Sequence, residues 1–263
     1  MTAREKLNNK LSAGLHVCVG LDTDFSKIPE YFKKEPNPVL AFNRTVIENT
    51  KDYAAAYKIN FAFYEKDGIE GIKNLIETIK LIPDDLLIIA DAKRGDIGNT
   101  SRMYAESVFN YFNCDAVTLH PYMGFDSLQP FFEFEDKLNF ILALTSNPGS
   151  ADFEKLELND GRFLYNAVIE KANEWNIHNN IGLVFGATNS SELGRAIDSF
   201  GDMPVLLPGV GAQGGSYEDV LAIFGNKGKS NFIVNISRGL IYCDPTDKFP
   251  ETLREKILSY VNL

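Results

Sequence analysis

Two spacings of apolar residues alternate along the chain. Brief runs that stay apolar at successive positions read as strands covered on both faces. Longer stretches with apolar residues every three or four positions read as helices with one buried stripe. The runs predict strands over His16–Leu21, Ala55–Ile59, Leu86–Ala90, Ala116–Leu119, Phe140–Leu144, Ile181–Phe185, Val205–Leu207 and Phe232–Ile236. The stripes predict helices over Leu40–Asn49, Ile69–Leu81, Ser101–Phe112, Phe163–Trp175, Ser191–Phe200, Tyr217–Phe224 and Glu251–Val261, with the faintest near Ser127–Phe134. Eight βα units in 263 residues match an α/β fold, the (β/α)8 TIM barrel, as a single domain over 1–263. Periodicity alone also admits a doubly wound open sheet. No Pro/Gly/Ser-rich linker, low-complexity tract or short-period repeat divides the chain.

Composition narrows the function classes. The 26 basic and 36 acidic residues give a formal net charge of −10 without a basic block. Nucleic-acid binding needs clustered cations to meet phosphates, so no nucleic-acid partner is expected. The densest apolar run, Leu86–Ala90, is strand-sized. A bilayer span needs about 20 apolar residues, so no membrane partner is expected either. The first residues carry Arg4, Glu5, Lys6 and Lys10 and no apolar h-region, unlike a secretory signal. Cys18, Cys114 and Cys243 are odd in number and widely spaced. They suit free thiols in a reducing cytoplasm and lack metal-ligand spacing.

Barrel active sites gather where strands end, at the C-terminal mouth, so polar residues at strand ends carry the candidate chemistry. Asp22 closes the first strand and Lys58 the second. The third ends in the densest polar feature of the chain, Asp91-Ala-Lys93-Arg-Gly-Asp96-Ile97-Gly-Asn-Thr100. Asp91 and Lys93 are two apart and share a face of an extended strand with Leu87 and Ile89. Buried charges cost several kcal/mol each unless paired, and Lys58, Asp91 and Lys93 offer an alternating array. Such an array is either a structural ion network or a reactive centre, and its place at a cavity mouth favours the second.

Two further loops suit an anion. Leu207-Pro-Gly209-Val-Gly211-Ala-Gln213-Gly214-Gly215 follows the seventh strand, and Ile236-Ser-Arg238-Gly239 ends the eighth. Loops at these two places commonly hold phosphate in this fold. Glycines let backbone N–H groups approach the anion, and Arg238 offers a forked donor pair. Two look-alikes fail. Gly209-x-Gly211-x-x-Gly214 has the dinucleotide spacing, but it lies late in the chain and no acidic residue ends the following strand. Gly225-Asn-Lys-Gly-Lys229-Ser230 has two residues between its glycines where a P-loop has four, and reads as a solvated turn. Ser146, just past the fifth strand, suits a ligand contact or a plain turn. His16, His120 and His178 read as structural and lack metal-ligand spacing.

Taken together, these residues resemble the orotidine 5′-phosphate decarboxylase family. The signature is Asp-x-Lys-x-x-Asp after the third strand, here Asp91, Lys93 and Asp96, followed by Ile97 and Thr100. Lys58 completes the family's Lys-Asp-Lys-Asp tetrad, and Asp22, Ser146, Gln213 and Arg238 fall on matching positions in strand order. The resemblance runs from about Val19 to Gly239. The Lys93-Arg-Gly-Asp-Ile-Gly98 and Thr118-Leu-His-Pro-Tyr-Met-Gly124 stretches look like the longer bacterial branch.

The resemblance implies decarboxylation of orotidine 5′-phosphate to UMP and CO2, with no metal or organic cofactor. It implies that Lys93 stabilises carbanion character at C6 and delivers the proton, beside Asp91. Lys58 and Asp22 would contact the ribose, Ser146 the base, and Gln213 both base and phosphate. Gln213, Gly214, Gly215 and Arg238 would hold the phosphate. Asp96, Ile97 and Thr100 would reach the neighbouring subunit's site, which implies a homodimer with shared active sites. Related barrels acting on 3-keto-gulonate or hexulose phosphates share the Asp-x-Lys-x-x-Asp skeleton but use Mg²⁺. Lys58 and the Gln213 loop favour the nucleotide reaction. A phosphate-ligand sensor on the same fold would not need Lys93.

Overall fold

The computed structural model describes residues 1–211 and 214–262. Among them the strands are β1 (Val17–Gly20), β2 (Ala56–Asn60), β3 (Leu87–Arg94), β4 (Ala116–Leu119), β5 (Leu138–Leu144), β6 (Ile181–Phe185), β7 (Val205–Pro208) and β8 (Phe232–Ile236). Each pairs in parallel with the next, and β1 pairs with β8, so the sheet is a closed barrel and not the open alternative. The outward strand residues pack beneath the surrounding helices, among them Pro38–Thr50, Gly68–Leu81, Leu164–Trp175 and Phe249–Val261. A distinct inner cluster fills the barrel, built from Cys18, Ala56, Leu87, Ile89, Ala116, Phe140, Val184, Leu206 and Ile233. Phe140 is its largest side chain, and β6 makes room with Gly182. A Cβ there would lie 2.7 Å from the Phe140 ring.

The floor of the barrel is closed by a helix that hydrophobic patterning does not predict, Ala3–Ser12. It buries only Ala3 and Leu7, too few to make a visible stripe. Leu7 joins the inner cluster, a burial that stabilises by roughly 2 kcal/mol. Thr2 and Glu5 form a reciprocal capping box at the helix start. Lys6 Nζ donates to Asp115 Oδ1 at 2.8 Å, while Asp115 Oδ2 accepts from Ile88 N at 2.9 Å, tying the helix to β3.

Three expected elements change character. The helix expected over Ser101–Phe112 is α-helical over Gly98–Glu106 and then widens into a π turn over Ser107–Tyr111. The one expected over Ser191–Phe200 tightens into a 3-10 turn after Ala196. The faint stripe near Ser127 is a helix over Phe125–Phe132, and Pro130 inside it explains the weak signal. His16 precedes β1 instead of starting it. Its Nδ1 lies 2.9 Å from Phe232 O, and its ring stacks on Phe232 at 4.2 Å. Cys18 and Cys114 are buried and Cys243 half-buried, and all three are free thiols. Burial pushes the Cys18 thiol up to about 12. No described helix is long and apolar enough to cross a membrane.

Candidate active site

The C-terminal strand ends open into a cavity of about 300 Å³. Its apolar side is formed by the inward residues Leu142 of β5, Val184 of β6 and Leu206 of β7. Its charged side comes from β1, β2 and β3, which bring Asp22, Lys58, Asp91 and Lys93 together as expected. Lys58 Nζ donates to Asp91 Oδ2 at 2.6 Å and lies 3.5 Å from Asp22 Oδ1. Lys93 Nζ donates to the other Asp91 oxygen, also at 2.6 Å. The Asp91 carboxylate thus stands between two ammonium groups. Burial alone would raise its pKa, but Lys58 and Lys93 override this and hold it well below the usual carboxylate range. Burial likewise pushes Lys58 down, but Asp91 and Asp22 reverse the effect and hold it above the ordinary lysine value.

Asp91 holds the expected alternation with Leu87 and Ile89, whereas Lys93 reaches the cavity through an irregular backbone. β3 continues past its apolar run to Arg94, and its pairing with β4 shifts between Ala90 and Arg94. Lys93 takes a φ of 45°, in the left-handed region. Asp91 stays in unbroken register with Asn60 of β2, and only Lys93 reaches the cavity through the irregularity. Thr118, on β4, is the polar residue opposite the shift. Its hydroxyl donates to Asp91 Oδ1 at 3.0 Å and accepts from Lys93 N at 3.1 Å.

Asp22 is held from behind by two tyrosines. Tyr64 OH donates to Leu21 O at 3.1 Å, and Tyr242 OH donates to Asp22 O at 3.1 Å while accepting from Asp24 N at 2.7 Å. Asn43 anchors the same segment, accepting from Thr23 Oγ1 at 2.6 Å and donating to Tyr64 OH at 2.9 Å. Both flanks of Asp22 are therefore fixed before a ligand arrives.

Ser146 lines the opposite wall beside Thr145 and Asn147. Glu154 accepts from Thr145 N at 2.6 Å, and Asn189 Nδ2 donates to Thr145 O at 3.0 Å. Gly186 lets the loop after β6 pass close beneath. A Cβ on it would lie 2.8 Å from Ser146 N.

The two loops expected to hold an anion meet at the far end of the cavity, where Pro208, Gly209 and Val210 face Ser237, Arg238 and Gly239. Gly209, Gly211 and Gly214 have φ values of 103°, 76° and 89°, which explains the glycine density. Gly214 and Gly215 do not line the cavity. Gly215 N donates to Gly209 O and Gly211 N to Gly215 O, both at 3.0 Å, folding the loop onto itself. Gln213 lies outside the described residues. Arg238 is exposed and makes no ion pair with any described residue.

Asp96, Ile97 and Thr100 stand apart from the cavity of their own barrel. Asp96 Oδ1 accepts from Ile97 N at 2.8 Å, and Ile97 is 58% exposed. The cavity also contains Asn60, Thr118, Asn235 and Ser237, which patterning does not single out. Their signal is a polar residue among the last positions of an apolar strand. In the Gly225–Ser230 stretch Gly225 and Asn226 still belong to the helix Tyr217–Asn226, and the solvated turn follows at Lys227–Gly228, where Lys227 pairs with Asp198 at 2.6 Å. His120 packs beside Gly95, and His178 lies 3.2 Å from Glu135 at the surface.

The model of the Orotidine 5′-phosphate decarboxylase / HUMPS family matches residues 16–246. The chain belongs to that family. It is 47% identical over 242 residues to the orotidine 5′-phosphate decarboxylase of Dehalococcoides mccartyi, covering 91% of this chain and 88% of that one. Among solved structures, the Leishmania donovani OMP decarboxylase superposes with a TM-score of 0.84 at 38% identity, covering 100% of both chains. The Leishmania donovani UMP synthase superposes with a TM-score of 0.86 at 39% identity. This chain covers 57% of that longer protein, with 99% of itself aligned. The family's strand-three signature thus coincides with the part of the cavity where a carboxylate is flanked by two cations.

Proposed function

We propose that this chain decarboxylates orotidine 5′-phosphate to UMP and CO2, the last step in making UMP, as a carboxy-lyase with Lys93 as its acid. The observation that carries this reading is the Lys58–Asp91–Lys93 array beside an apolar wall. Breaking the C6–CO2⁻ bond leaves an electron pair on C6. The Lys93 ammonium stabilises that pair and then gives it a proton, forming the C6–H bond of UMP. Asp91 holds Lys93 on one oxygen and Lys58 on the other, so the cation is oriented before the charge develops. Asp22 and Lys58 take the ribose and Ser146 the base. Gln213 and Arg238 take the phosphate, whose binding energy serves the reacting end, while Gly214 and Gly215, with their N–H groups bonded to Gly211 O and Gly209 O, shape the loop.

The acting form is a cytoplasmic homodimer, and the whole chain serves as one barrel domain. Asp96, Ile97 and Thr100 complete the partner's cavity. This assignment is supported by the exposure of Ile97 and Thr100, with Asp96 half-buried, outside their own cavity and beside the exposed side chains of Met103 and Tyr104. The array supplies its own cations, so the reaction proceeds without a metal or an organic cofactor. The test is an ultraviolet assay with orotidine 5′-phosphate in excess EDTA. Full turnover is expected. Turnover lost in EDTA and restored by Mg²⁺ would place the chain with the sugar-phosphate enzymes that share its strand-three skeleton.

A further inference from the structure

We infer that Thr118 is a positioning residue that sets where the Lys93 ammonium stands. The inference rests on the proposed role of Lys93 and extends it to a side chain that patterning did not single out. In the β3–β4 pairing, Ala90 faces Val117 and Arg94 faces Leu119. Three residues of β3, Asp91, Ala92 and Lys93, therefore stand opposite Thr118 alone. The surplus chain must pucker, and Lys93 absorbs the pucker with its φ of 45°. A side-chain-bearing residue in that region is strained by about 1 kcal/mol or more and keeps the conformation only if its surroundings hold it.

Thr118 is what holds it. The buried hydroxyl has one proton and gives it to Asp91 Oδ1, so its lone pair is left to accept Lys93 N–H. Lys93 Nζ closes the circuit on the same Asp91 oxygen. The ring runs from Lys93 N through Thr118 Oγ1 to Asp91 Oδ1 and back to Lys93 Nζ. It fixes the backbone and the tip of Lys93 at once. An apolar isostere leaves Lys93 N–H without its acceptor and Asp91 short of a donor, and the pucker loses its anchor. At 2% exposure, water does not replace the lost group.

The test compares Thr118→Val, which keeps the shape and loses the hydroxyl, with Thr118→Ser, which keeps the hydroxyl. Displacing a reacting group by about 1 Å costs on the order of 100-fold in rate. Thr118→Val should therefore lower kcat 10- to 100-fold, by the same order of magnitude, with KM and UMP affinity changed less than about threefold. Thr118→Ser should stay within about threefold of wild type in kcat. The crystal structure of Thr118→Val should show Lys93 out of the left-handed region and its ammonium displaced from Asp91. If Thr118→Val does not fold, Thr118→Ala is read in the same way. Wild-type kcat in the variant lacking the hydroxyl, or an equal loss in Thr118→Ser, would overturn the inference. If the wild-type enzyme itself fails to turn over orotidine 5′-phosphate, the reaction assignment falls, and the structure of the variant decides: an unmoved Lys93 overturns the inference, and a displaced one supports it.

Discussion

Lys58 and Asp91 form a buried ion pair at 2.6 Å, with side-chain exposures of 5% and 9%. A pair this dry is maintained only while both partners are charged. Asp91 is held below its unfolded value, so its contribution to stability is present above about pH 4 and is lost as pH falls through the folded value. Lys58 is held above its unfolded value, so its contribution is present below about pH 10 and is lost as pH rises through the folded value. Between these limits the pair is intact. Asp91→Asn leaves Lys58 with Asp22 alone at 3.5 Å, and breaking a buried pair costs about 3 kcal/mol or more. Denaturant melts at pH 7 should show that loss, and the gap from wild type should narrow below pH 4. A variant as stable as wild type at pH 7 would mean that the array is strained in the free enzyme.

Lys93 differs from Lys58 in exposure, with 52% of its side chain accessible against 5%. It can therefore face a ligand while still bonded to Asp91. Lys93→Ala removes both the cation and the proton source, so turnover should fall at least about 10⁴-fold. UMP affinity should change far less, because the interaction belongs mainly to the transition state. The measurement is single-turnover kinetics beside calorimetric UMP binding. Near-normal turnover in the purified variant would refute the assigned role.

How far these features were legible in the sequence follows from the kind of signal each leaves. The strands were legible because their residues are apolar on both faces, and the charges stood out because they end such runs. The Ala3–Ser12 helix was not, since two buried side chains make no periodic stripe. Alternation places Asp91 on the inward face with Leu87 and Ile89, as the structure has it, but it does not foresee the shift in β3 that puckers the chain at Lys93. Thr118 and Asn235 escaped notice because a single Thr or Asn in an apolar strand is chemically ordinary until its neighbours are known. The tyrosines behind Asp22 are distant in the chain, and only the closed barrel brings Tyr242 to a backbone that ended 220 residues earlier.

Arg238 tests the phosphate end. It is exposed and unpaired among the described residues, so its removal should leave the melting temperature nearly unchanged. A charge-assisted hydrogen bond is worth about 1.5–3 kcal/mol, so Arg238→Ala should weaken UMP binding roughly 10- to 150-fold. Uridine, which lacks the phosphate, should bind both proteins alike. Equal losses for the nucleotide and the nucleoside would assign Arg238 to the fold instead.

Shared sites make the sharpest prediction, because Lys93 and Asp96 lie only three residues apart yet are assigned to different cavities. Lys93 lines its own cavity, whereas Asp96 stands outside it. Homodimers of Lys93→Ala and of Asp96→Asn should both be poorly active, each with two damaged sites. In a mixed dimer one site collects both lesions and the other collects neither. Random exchange of equal amounts gives about half mixed dimers, each with one intact site of two, so about a quarter of wild-type activity should return by the symmetry of an isologous dimer. The subunits are co-expressed or refolded together so that exchange is complete, and the mixed species is isolated with two affinity tags. Recovery in that species requires Asp96 to act across the interface. An isolated mixed dimer as inactive as its parents would mean that Asp96 acts within its own subunit, and the composite site would have to be abandoned.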